Sequence, residues 1–146
     1  MKKSDGGLRT LFRQKFHSWQ WTSIETGISA GGVPDSEFCT PDGVQGWIEF
    51  KQTKIFYVNI RPLQVGWLMR RCRYGGNAWI AVRRTHMKDG DQLWLMRGDQ
   101  AEALCYDGLK GVHALCWEGG PERWYYDEIE GVLRHGAIIS TPAESC

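Results

Sequence analysis

The sequence predicts an α/β domain: a short mixed β-sheet flanked by helices. Three observations predict it. Pro41-Asp42-Gly43 is a turn signal between two short extended runs, 35–40 and 45–51, and folds them into an antiparallel hairpin. Val65, Leu68, Met69 and Cys72 recur at i, i+3, i+4 and i+7, behind Pro62 and before Gly75-Gly76. That is an apolar helix stripe with a proline start and a glycine stop. Ala78-Trp79-Ile80-Ala81-Val82 is then an uninterrupted apolar run of strand length. The helix before it makes it a buried strand parallel to the second arm of the hairpin.

Taken in order, residues 1–6 are expected to be mobile. Leu8, Leu11, Phe12 and Phe16 give helical spacing over 7–17, with Arg9, Arg13 and Lys15 on the wetter side. Residues 17–24 alternate bulky and polar side chains and predict a strand that Glu25 closes. Residues 27–32 are glycine-rich and predict a loop able to lie close to a phosphate, or simply a turn. The hairpin follows, then an extended segment over 55–60 leading into the helix at Pro62. Arg70, Arg71 and Arg73 sit at that helix's C-terminal end, where they favour its dipole. Beyond the buried strand, 93–96 and 102–105 are expected to be two strands around an Arg97-Gly98-Asp99 turn. Residues 111–117 form a mixed apolar stretch, 121–133 a terminal helix, and 136–146 a tail.

The 146 residues are expected to form one domain, with a core over about 7–97 and an acidic C-terminal extension over about 98–146. A hydrophobic fraction of 42% and eight tryptophans exclude a disordered chain. No apolar run approaches a membrane span, and the basic start is not followed by a signal-peptide core. Five widely spaced cysteines without a C-x-x-C pair favour reduced thiols, hence a cytoplasmic setting, over disulfides or zinc. The net charge of +1 conceals a block, 50–88, that carries nine Lys/Arg and no acid. Residues 89–146 carry four Lys/Arg against eleven Asp/Glu. The basic block reads as the footprint of a polyanion, or as a solvated basic face.

The hairpin also brings chemistry together. Its turn sets Asp35 beside Glu49 or Phe50, and Glu49 and Lys51, two apart on one strand, leave the same face. Two carboxylates and an ammonium suit divalent-metal phosphodiester chemistry: hard cations such as Mg²⁺ take carboxylate oxygens and keep waters and a substrate phosphate as further ligands. The same spacing also fits a hairpin with three exposed charges and no chemistry. Asp42 is the rival to Asp35, but it lies at the turn tip, seven residues from Glu49, or roughly 20 Å at about 3.3 Å per residue. It reads as a turn residue.

Pro34-Asp35 with Glu49-Phe50-Lys51 resembles the PD-(D/E)xK nuclease signature. Ile24-Glu25-Thr26-Gly27, Gly31-Gly32-Val33, Arg61-Pro62-Leu63-Gln64-Val65-Gly66-Trp67 and Gly75-Gly76-Asn77 follow in order around it. Over about residues 19–84 the chain is similar to small phage and bacterial nucleases of the VRR-NUC and Holliday-junction-resolvase-like branch. The resemblance implies a restriction-endonuclease-like core and a Mg²⁺-dependent DNA endonuclease, with Mn²⁺ as a substitute. It implies Asp35, Glu49 and the Phe50 carbonyl as metal ligands, Glu25 as an upstream acidic ligand, and Lys51 and Gln64 as catalytic partners. Lys54, Arg61, Arg70, Arg71 and Arg83 become candidates for DNA contact, with Arg61 and one of Arg70 or Arg71 holding the scissile or flanking phosphates. Branched DNA and homing-type nicking both remain open as specificities. A resolvase would work as a homodimer. The alternative is a nucleic-acid-binding protein that keeps the fold without catalysis.

Overall fold

Strand β2 (Ser36–Cys39) pairs antiparallel with β3 (Gln45–Thr53), Ser36 opposite Ile48 and Cys39 opposite Gln45. The turn between them is closed by Gly43 and Val44: the Gly43 N–H donates to the Thr40 carbonyl, and the Val44 N–H to Thr40 Oγ1, both at 2.9 Å. Gly43 has φ +91°, a conformation that a side chain would strain. Asp42 sits at the tip and pairs with Arg134 instead of with Glu49.

The computed structural model describes residues 5–24, 31–85 and 87–136. Within them a single sheet of six strands runs in chain order: β1 (Gln20–Ser23), β2, β3, β4 (Ala78–Arg84), β5 (Gln92–Arg97) and β6 (Leu115–Trp117). Only β3 and β4 are parallel, with Trp47 opposite Ala78 and Thr53 opposite Arg84. Helix α2 (Pro62–Arg73) makes that crossover, as a parallel pair requires. The remaining pairs are antiparallel and need only short connections.

Both faces of the sheet are covered, so β4 and β5 are apolar on both sides. On one face Phe38, Ile48, Phe50, Trp79 and Ala81 meet α1 (Leu8–Lys15) and α4 (Tyr126–His135), through Leu8, Phe12, Ile129 and Leu133. Phe12 stands edge-on to Phe50 with centroids 5.1 Å apart. On the other face Ala78, Ile80, Val82, Trp94 and Met96 meet α2 and α3 (Ala101–Asp107) through Leu68, Ala101 and Leu104.

Two expectations change. Residues 102–105 are not a strand but the middle of α3, entered through a 3-10 turn at Gly98–Gln100. The Ala-Glu-Ala-Leu run is made of good helix formers, and burying Ala101 and Leu104, three apart, on one side settles its period. The apolar stretch before Trp117 ends in β6, which extends the sheet beyond the basic core. Cys39, Cys72 and Cys105 are free thiols. Among the described residues no helix is long and apolar enough to cross a membrane. Glu25, most of the glycine-rich loop, His86 and the tail beyond Gly136 lie outside the described residues.

Candidate active site

The hairpin register carries residue 35 one step past the Ser36–Ile48 pair, across from Glu49. Each acid holds the backbone opposite it. The Asp35 N–H donates to Glu49 Oε1 at 3.1 Å, and the Phe50 N–H donates to Asp35 Oδ2 at 3.2 Å. The Ser36 hydroxyl donates to Asp35 Oδ1 at 2.9 Å.

The proline before Asp35 has a physical role here. Trp47 gives its N–H to Asn77, and Thr53 accepts from Thr85, so odd-numbered residues of β3 turn their peptide groups towards β4. Even-numbered ones turn towards β2. The Phe50 carbonyl therefore faces the β2 side, and the residue that would face it there is Pro34. Proline has no N–H to donate. The strand ladder stops at this point and leaves a carbonyl oxygen beside two carboxylates.

From above, α2 supplies Gln64. Arg61 caps the helix in an extended conformation, Pro62 is its first residue, and Gln64 its third. Gln64 is 5% exposed and uses both ends of its amide. Its Nε2 donates to Glu49 Oε2 at 3.0 Å; its Oε1 accepts from Lys51 Nζ at 3.0 Å and from the Arg61 N–H at 3.0 Å. The last bond satisfies a backbone donor that the helix start would otherwise leave open. Lys51 Nζ also stands 3.5 Å from Glu49 Oε2. Gly32, at φ +84°, abuts this turn, and a Cβ there would come within 2.0 Å of the Leu63 carbonyl oxygen.

Burial sets the electrostatics. Glu49 is pushed up to about 7, first by desolvation and then by the negative charge of Asp35, against the pull of Lys51. Asp35 is also raised by burial, with the hydrogen bonds from Ser36 and Phe50 acting the other way. One ammonium and one amide do not offset two desolvated carboxylates. The donor set fits a hard divalent cation: two carboxylates, a carbonyl turned to the same edge, and room in the ligand count for water or phosphate. Among the described residues no group of three or more His, Cys, Asp or Glu could hold a metal, so the described share of such a site is this pair and the carbonyl.

The cations expected at DNA divide. Lys54 and Arg61 are exposed on the connector between β3 and α2. Arg70 is exposed along α2, and Arg71 lies over Trp67 and Trp47, 4.5 and 5.5 Å from their ring centroids. Arg83 is kept apart. It leaves β4 on the opposite face, where its Nε pairs with Asp91 at 2.8 Å and its guanidinium lies over Trp124. Two contributors were not singled out in the sequence. Ser36 follows directly on the Pro-Asp pair, and its alternation with Asp35 hides that its hydroxyl reaches back. Arg9, on α1, lowers the Asp35 pKa through its charge, and only tertiary packing brings it there.

No protein-family model matches the chain, and no curated protein sequence matches it. Among solved structures the fold is similar to that of Hjc, a Holliday junction resolvase from the archaeal hyperthermophile Archaeoglobus fulgidus. The TM-score is 0.44 and the identity 13%, over 64% of this chain and 75% of that one. Similarity at that level says nothing of a shared activity.

Proposed function

We propose that this chain is a divalent-metal-dependent DNA endonuclease of the PD-(D/E)xK kind, acting as one restriction-endonuclease-like unit. The observation that carries the reading is the Asp35–Glu49 pair: two carboxylates side by side, Glu49 buried and Asp35 half-buried, both with raised pKa. A sheet gains nothing from such a pair by itself, and strained titrations of this sort concentrate at functional sites.

Asp35, Glu49 and the Phe50 carbonyl would hold Mg²⁺ or Mn²⁺, with Glu25 as the upstream acid. The bound ion would acidify a water and neutralise charge on the phosphate. Lys51, fixed between Gln64 and Glu49, directs its ammonium to the carboxylate edge, where it orients the attacking water and hydrogen-bonds developing negative charge. Gln64 is a positioning residue: it fixes Glu49 Oε2 and Lys51 Nζ at once. Lys54, Arg61, Arg70 and Arg71 would take flanking phosphates. Branched DNA, cut by a homodimer, and homing-type nicking are the two substrate readings, in the cytoplasm of a bacterium or a phage-infected host.

The test is a panel of supercoiled, single-stranded and four-way-junction DNA with Mg²⁺, Mn²⁺ or chelator. Wild-type protein is expected to cut in metal only. Glu49→Ala is expected to lose at least about a hundredfold in rate while still binding DNA. Binding without cutting would favour a non-catalytic nucleic-acid-binding protein, and neither would overturn both readings.

A further inference from the structure

Among the described residues six large apolar or aromatic side chains stand exposed, and three fall within nine residues: Ile55 (60%), Tyr57 (61%) and Leu63 (62%). They belong to the connector between β3 and α2 and to the first turn of that helix. This segment alternates. Phe56, Val58 and Ile60 turn inwards, Val58 and Ile60 being buried, while Ile55, Tyr57, Asn59 and Arg61 turn out.

The outward side chains are held there by a pinned backbone. The Ile55 carbonyl accepts from Arg84 Nε at 3.0 Å, the Phe56 carbonyl from the Leu109 N–H at 2.8 Å, and the Tyr57 carbonyl from Thr53 Oγ1 at 2.6 Å. Gly108, at φ +72°, lets the Phe56 carbonyl approach to where a Cβ would stand 2.8 Å away. Cations surround the segment. Lys54 and Arg61 lie on it, and Arg84 and Lys110 lie over the Phe56 ring, 3.9 and 4.3 Å from its centroid. The connector itself contains no acid.

Water-exposed apolar side chains fixed in a ring of cations match an unpaired nucleic-acid base, which offers an apolar face on an anionic backbone. The segment starts where the strand that carries Lys51 ends and leads into Gln64, so it joins two of the residues that line the carboxylate pair. We infer that Ile55 and Tyr57 form a stacking platform for unpaired bases adjoining the phosphate to be cut. This deepens the nuclease reading and rests on it: the substrate has a single-stranded or splayed element beside the cleavage point.

The test is fluorescence anisotropy in chelator, with a labelled single strand, a fully paired duplex, and the same duplex carrying a splayed arm. The double variant Ile55→Ala/Tyr57→Ala is expected to lose roughly tenfold to a hundredfold in affinity for the single strand and the splayed duplex. The paired duplex is expected to change by less than about twofold, since phosphate contacts dominate there. Tyr57→Trp, which keeps a stacking face, should bind as wild type, as should Tyr125→Ala, which removes an exposed aromatic outside the segment. Both exposed sites permit folding, which an unchanged melting temperature checks. Equal losses on all three ligands, no loss on any, or no nucleic-acid binding by wild type would overturn the platform. If wild type binds the splayed duplex through these residues yet never cuts it in Mg²⁺ or Mn²⁺, the platform stands and the nuclease reading falls. If it cuts and the double variant binds the splayed duplex as well as wild type, the reverse holds.

Discussion

Glu49 receives hydrogen bonds from the Asp35 backbone and from Gln64, and an ammonium at 3.5 Å, and still titrates near 7. Its protonated form is the one that the fold favours. A carboxyl raised from 4.5 to about 7 contributes stability that is fully present below the unfolded pKa and lost as pH rises through 7. Glu49→Gln keeps an oxygen for the Gln64 amide and removes the charge. The variant should therefore be more stable than metal-free wild type at pH 8, by on the order of 2–3 kcal/mol, with the gap shrinking towards pH 5. Thermal melts in chelator at the two pH values measure it, and an equal gap at both would contradict the assignment. Asp35, Glu49 and Lys51 could be brought together from sequence because a turn and strand parity are enough. Ser36 and Arg9 could not, because one acts through a side chain bending back and the other through packing across the chain.

At the scale of elements, the site depends on a glycine packed against the first turn of α2. Gly32 lies where a Cβ would meet the Leu63 carbonyl at 2.0 Å, and its φ is +84°. Gly32→Ala is expected to destabilise the fold by about 2 kcal/mol or more and to displace Gln64. A lower melting temperature together with a reduced cleavage rate would record it; unchanged values for both would contradict this packing. The hairpin, α2 and β4 were legible because their signals are local: a turn residue, a proline start, an apolar period. Residues 102–105 were not, because a four-residue apolar run has no clear period and burial against α2 and the sheet decided for helix. Arg83 shows the same limit from another side. Membership of a basic block does not say which face of a strand a side chain leaves, and Asp91 and Trp124 hold it on the far one.

Across the whole molecule, four cations of the basic block gather on one side of the sheet. The connector and α2, which carry Lys54, Arg61, Arg70 and Arg71, lie over the face that bears Glu49, whereas α1 and α4 cover the other. If those four cations each neutralise a phosphate, log affinity for DNA should fall against log salt with a slope of about −3 to −4. A flat salt response would remove this face as the contact surface.

The central claim is that Asp35 and Glu49 jointly hold one divalent cation, and Mn²⁺ titration by calorimetry near pH 7 tests it most directly. Wild type is predicted to bind one ion per chain with release of about half a proton, because a cation displaces the proton that the buried Glu49, raised to about 7, still holds in roughly half of the molecules. Asp35→Asn is predicted to bind none in the same range. Absent binding in wild type, or equal binding in the variant, would contradict the account.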